Sequence, residues 1–120
     1  MTEIFLLLAL LFVKHFIVDF HLQTETMVKE KGIYGARGGI EHSFQQGVGT
    51  FLVMFFFVAW PWAVVFAFID AVIHYHVDWT KININKKNNY TVMDKQFWFW
   101  LGLDQLAHSL TYVWICWMLV

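Results

Sequence analysis

Residues 42–78 read HSFQQGVGTFLVMFFFVAWPWAVVFAFIDAVIHYHVD, and Trp60-Pro61-Trp62 near their middle decides how the rest is folded. No charged residue occurs from Ser43 to Ile69. One helix over the 37 residues from His42 to Asp78 would be roughly 55 Å long, against a bilayer hydrocarbon core of about 30 Å. Proline removes a backbone donor and interrupts a helix, and Trp favours the membrane interface. A tight hairpin at Ala59–Ala63 satisfies both preferences and predicts helices at about residues 42–60 and 62–80.

Composition points the same way. The 120 residues are 59% hydrophobic, 20% aromatic and only 14% charged, with a net charge of −1. Soluble domains carry about 25% charge and about 45–50% apolar residues. Seven Trp and thirteen Phe leave too little polar surface to cover a soluble globule of this size. Disorder and a basic nucleic-acid binder are excluded on the same figures, so nucleic acid is not an expected partner; the lipid bilayer is. The run Ile4–Val13 has no preceding Lys or Arg and no cleavage-like small residues after it, so it reads as a retained first span rather than a secretory signal. Apolar stretches at about 4–22 and 97–120 complete the expectation: an all-α, single-domain, four-helix transmembrane bundle over residues 1–120. Its oligomeric state is open.

Basic residues check the topology. Lys14, Lys29, Lys31, Arg37, Lys81, Lys86, Lys87 and Lys95 are all there are. With the hairpin they fall on one side, which the positive-inside rule makes cytoplasmic. The expected location is therefore the inner (cytoplasmic) membrane, multi-pass, with both termini on the non-cytoplasmic side. Lys14, inside the first span, reads as a snorkelling side chain. Loop Thr24–Glu41, with four glycines and no phosphate-loop ending, reads as a flexible connector. Loop Lys81–Gln96 reads as a solubilising, topology-setting segment. Gly47 and Gly49 are expected to allow close helix contact. Cys116 stands alone, which leaves no disulfide framework.

Ionisable groups within spans are costly and usually face a bundle interior or water. Here they recur every four residues: His15, Asp19 and Gln23; Asp70, His74 and Asp78; Asp104 and His108, with Tyr112 extending that face. Residues four apart share one helix face. His42 opens the remaining helix, with Gln45 and Gln46 nearby. The topology brings all four segments to the cytoplasmic half of one bundle. Imidazole and carboxylate suit zinc, iron, manganese or nickel. His15, Asp19, His74, Asp78, Asp104 and His108 are the expected metal ligands, with Asp70 or His42 as general base or outer partner. Eight candidates would suit two ions, or one ion with supporting partners. His–Asp hydrogen bonds that merely lock packing are the competing explanation. His21 and His76 fall off the stripes, about 200° round from Asp19 and His74.

Three stretches, Lys14-His15-Phe16-Ile17-Val18-Asp19-Phe20-His21-Leu22-Gln23-Thr24, His74-Tyr75-His76-Val77-Asp78 and Asp104-Gln105-Leu106-Ala107-His108, together with His42, resemble the small membrane family of bacteria and their phages known as domain of unknown function 3307. That resemblance covers about Phe5 to Leu119. It implies a small polytopic membrane protein with these His/Asp positions and brings no activity. A looser likeness to membrane metal-dependent hydrolases is analogy.

Three functions fit the sequence. The first is a metal-dependent hydrolase using a divalent ion, zinc foremost, on a lipid or amphiphilic substrate. The second is a proton or metal-ion transporter, against which stands the apolar run after Thr50. The third is a non-catalytic phage-type membrane interaction protein, for which three aligned His/Asp pairs would be superfluous.

Overall fold

The computed structural model describes residues 1–120 and is helical throughout, without strands. α1 (Thr2–Phe16) runs on into a wider π-helical turn, Ile17–Leu22. α2 (Glu25–Glu30), α3 (Arg37–Met54), α4 (Trp60–Asn88) and α5 (Lys95–Trp117) follow. α1 packs on α3 and α5, and α4 packs on the same two, so the four long helices close a ring with α2 against α3. Two stretches, Thr2–Leu22 and Trp60–Asn88, are long and apolar enough to cross a membrane.

Several boundaries differ from expectation. α3 ends at Met54, and the reversal occupies Phe55–Ala59 rather than Ala59–Ala63. Pro61 lies in the first turn of α4, where its missing N–H is no loss and its fixed φ favours the helix. α4 continues to Asn88 and takes up half of the predicted second loop. It stops at Asn89, a left-handed residue with φ 55°.

The predicted flexible connector is built instead. Thr24 caps α2 through Met27 N–H at 3.2 Å. Glu30 Oε2 accepts from Gly38 N–H at 2.6 Å at the start of α3. Gly35, with φ +84°, donates to the Tyr75 hydroxyl at 2.7 Å. The connector is held because its backbone groups find partners on α2 and α4.

Burial is inverted relative to a water-soluble fold. Of 30 buried residues, 11 are hydrophobic and 15 are polar or charged. Large apolar side chains face outward along the ring, among them Phe20, Phe44, Phe56 and Phe68, each at least two-thirds exposed. The interior is layered. At the end holding the chain termini, Leu7, Leu11, Met54, Ala63, Phe66 and Ile115 form an apolar core. Lys14, Gln46, Thr50, Asp70 and Tyr112 form a polar layer below it. The His/Asp layer comes next, toward α2. Gly47 fits close to α4, where an added Cβ would lie 3.2 Å from Ala71 Cβ.

Candidate metal centre

α1, α3, α4 and α5 each deliver part of the site. Asp19 sits in the π-helical turn, a distortion often found at functional sites. It faces His42 from the second turn of α3 and His74 from α4, and Asp78 shares the α4 face with His74. Asp104 and His108 come from one face of α5. Asp19, His42, His74, Asp78, Asp104 and His108 are all buried.

Four ligand atoms converge. His42 Nε2 lies 3.1 Å from His74 Nε2, 3.0 Å from Asp19 Oδ1 and 3.4 Å from Asp78 Oδ2. His74 Nε2 lies 3.4 Å from Asp19 Oδ1 and 3.1 Å from Asp78 Oδ2. A tetrahedral ion with bonds of about 2.0–2.1 Å has ligand-to-ligand edges of about 3.3–3.4 Å. Five of the six pairwise distances, 3.0–3.4 Å, are close to that length. The hydrogen-bonding capacity of the cluster is only partly used. Each neutral imidazole carries one ring proton, and two facing Nε2 atoms cannot both carry one at 3.1 Å. Asp78 Oδ2 has no directed hydrogen bond despite its two imidazole neighbours.

His108 and Asp104 extend the cluster. His108 Nε2 stands 2.5 Å from Asp104 Oδ1 and 3.4 Å from Asp78 Oδ1. Its ring stacks on that of His74, with centroids 3.9 Å apart and planes at 17°.

His15 also lies at the cluster: with Asp19 and His74 it offers ligand atoms within 4.8 Å of one another. Its Nε2 bonds Gln105 Oε1 at 3.0 Å and lies 3.1 Å from Asp19 Oδ2; its Nδ1 meets the Tyr112 hydroxyl at 3.0 Å. The tautomer follows from Lys14. The ammonium donates to Gln46 Oε1 at 2.8 Å, Asp70 Oδ2 at 2.9 Å and the Tyr112 oxygen at 3.0 Å, which uses all three protons. Tyr112 therefore donates to His15 Nδ1, and the His15 proton sits on Nε2. Gln46 closes the circuit by donating to Asp19 Oδ1 at 2.8 Å.

One expectation is corrected here, and Asp70 is placed. Lys14 does not snorkel: it is 6% exposed, and its partners draw the ammonium inward. Gly49 leaves room for its stem, since an added Cβ would stand 2.5 Å from Lys14 Cγ. Asp70 is not beside the imidazoles: its Oδ2 takes Lys14 and the Thr50 hydroxyl at 2.6 Å, and its link to the cluster runs through Lys14 and Gln46. His21 and His76 lie exposed and outside the site, as their angular offset predicts. His76 bonds the Tyr34 hydroxyl at 3.0 Å.

Lys31 and Lys81 were not legible as site residues. Lys31 Nζ bonds Gln23 Oε1 at 2.9 Å and approaches Asp78 Oδ2 to 3.5 Å. Lys81 Nζ pairs with Asp104 Oδ2. The spacing Asp78, Lys81, Asn85 continues the α4 stripe and could have signalled Lys81; no periodicity reaches Lys31, which follows α2.

The arrangement defines a class: an all-helical protein with a buried His/Asp centre that could hold a metal ion. The chain belongs to the family described as protein of unknown function DUF3307, whose model matches residues 7–120. No curated protein and no solved structure matches it.

Proposed function

We propose that the protein spans the inner membrane with its four long helices, and that Asp19, His42, His74 and Asp78 hold a divalent ion, zinc foremost, for hydrolysis of a membrane-associated amphiphile. The observation that carries this reading is the convergence of His42 Nε2 and His74 Nε2 on each other at 3.1 Å, with Asp19 Oδ1 and Asp78 Oδ2 each within 3.0–3.4 Å of both imidazoles. The membrane placement draws on the inverted burial: soluble monomers rarely expose apolar surface on this scale. α3 has 18 residues and α5 has 23, or roughly 27 Å and 35 Å of helix, adequate beside α1 and α4 for a core of about 30 Å. The long connectors then lie in the cytoplasm and the termini outside.

In this reading His15, with its proton on Nε2, orients Asp19 as an outer partner rather than as a ligand. With four protein ligands, a divalent ion held here would have to take up water as a fifth ligand, and would then lower the pKa of that water toward neutrality. A groove of about 260 Å³ between α4 and α5, lined by Val77, Trp100 and Leu103 with Lys81 and Asp104, gives lateral access. An apolar tail would lie along Trp100 and Leu103, with an anionic head group against Lys81. Transport is the weaker reading, because the far half of the interior is the apolar layer of Leu7, Leu11, Met54 and Phe66.

The test is elemental analysis of detergent-purified protein after zinc loading and desalting. Wild type and His76→Ala should retain metal; His42→Ala and His74→Ala should lose the ion. Metal-free wild type would overturn the centre. Amphiphilic phosphate and carboxylate esters offered to the loaded protein test hydrolysis, which a chelator should abolish.

A further inference from the structure

We infer that Asp78 bridges two ions, the second held by Asp104 and His108; this rests on the metal-centre reading above and deepens it. The Asp78 carboxylate meets imidazoles on both oxygens, His42 and His74 on one and His108 on the other. Oδ2 faces His74 Nε2 at 3.1 Å and Oδ1 faces His108 Nε2 at 3.4 Å. The two rings are nearly parallel, with centroids 3.9 Å apart. Ions ligated by their Nε2 atoms would stand about as far apart as the rings. Paired-metal sites have separations of about 3.5–4 Å, and a carboxylate using one oxygen for each ion suits that spacing.

The second position is built rather than incidental. Asp104 and His108 are 3% and 1% exposed, so their polar atoms cannot turn to water. Asp104 Oδ1 and His108 Nε2 are both buried without a hydrogen-bond partner, although they lie 2.5 Å apart. The ring nitrogen and the carboxylate oxygen thus make no directed hydrogen bond, and Asp78, Asp104 and His108 offer ligand atoms that all lie within 4.8 Å of one another. Leaving such groups unpaired in a low-dielectric interior is costly, and a shared cation removes that cost. The first ion has four protein ligands, Asp19, His42, His74 and Asp78. The second has three, Asp78, Asp104 and His108, which leaves a coordination position for water or substrate. Asp104 also lines the groove between α4 and α5, so the less saturated ion is the one nearer the lateral opening. The Asp104 oxygen away from the ion meets Lys81, which holds the carboxylate in place.

The full chain, loaded with Mn²⁺ in detergent and desalted, decides the matter by metal content per chain and by low-temperature electron paramagnetic resonance. Wild type is expected to hold two ions with an exchange-coupled multiline spectrum. Asp104→Asn/His108→Ala is expected to hold one, with an isolated six-line signal and unchanged helical circular dichroism. One ion in wild type with a six-line signal overturns the bridge while leaving the four-ligand site standing, and needs no variant to be interpreted. Two ions in the double variant overturns the assignment to Asp104 and His108. No ion in wild type removes both the bridge and the site it rests on.

Discussion

Replacing Lys14 with Met tests the layer that supports the centre. Met nearly matches the Lys stem in length but removes three hydrogen bonds, to Gln46, Asp70 and Tyr112. Asp70 is fully buried, and its Oδ1 already lacks a partner, so without Lys14 the carboxylate keeps only the Thr50 hydroxyl. Breaking a buried pair by deleting one member costs about 3–5 kcal/mol. That is roughly two to three and a half decades in the unfolding equilibrium. Removing both charges should cost far less, because no charge is then stranded; Lys14→Met/Asp70→Asn should recover most of the loss. Unfolding in mixed micelles by titration with a denaturing detergent, followed by circular dichroism, gives the three free energies. Lys14→Met should also loosen Asp19 through Gln46 and, at the proposed metal centre, weaken binding by less than the roughly 10–100-fold expected for a group bonded directly to a ligand. A single variant within about 0.5 kcal/mol of wild type, the range of ordinary surface changes, would refute the buried pair. So would a double variant no better than the single.

Gly49→Ala should destabilise by about 1–3 kcal/mol, because its Cβ would overlap the Lys14 stem at 2.5 Å; Gly102→Ala, with nothing within 4 Å, should be neutral or slightly stabilising in the same detergent titration. Phe68→Lys places a charge at a 69% exposed position inside α4 and should oppose membrane insertion by about 2.5–3.5 kcal/mol; improved solubility without detergent would instead argue against the membrane reading. Glu30→Gln weakens the acceptor at Gly38 N–H, 2.6 Å away at the start of α3, and should cost about 1 kcal/mol, read as a lower thermal midpoint. Thr24→Val, which removes the α2 cap, should cost a similar amount, about 1 kcal/mol, and speed amide exchange locally at Glu25–Glu30.

The sequence by itself determined the helical class, the reversal near Pro61, and the three faces carrying His15/Asp19, His74/Asp78 and Asp104/His108. These are local matters: proline chemistry and a spacing of four act within one helix. It also set His42 near the start of its helix and left His21 and His76 off the stripes. Only the tertiary structure decided which atoms meet. The facing Nε2 atoms of His42 and His74 depend on how α3 and α4 are rotated against each other, and Gly47 opposite Ala71 sets their approach. Asp19 lies in the π-helical turn and meets both imidazoles while keeping its four-residue contact with His15 at 3.1 Å. Lys14 could be read as snorkelling from its stem alone; its inward direction follows from acceptors on three other helices, beyond the reach of any local pattern. Lys31 and Lys81 joined the centre for the same reason, since an ion pair is chosen by proximity across the fold and not by neighbours in the chain.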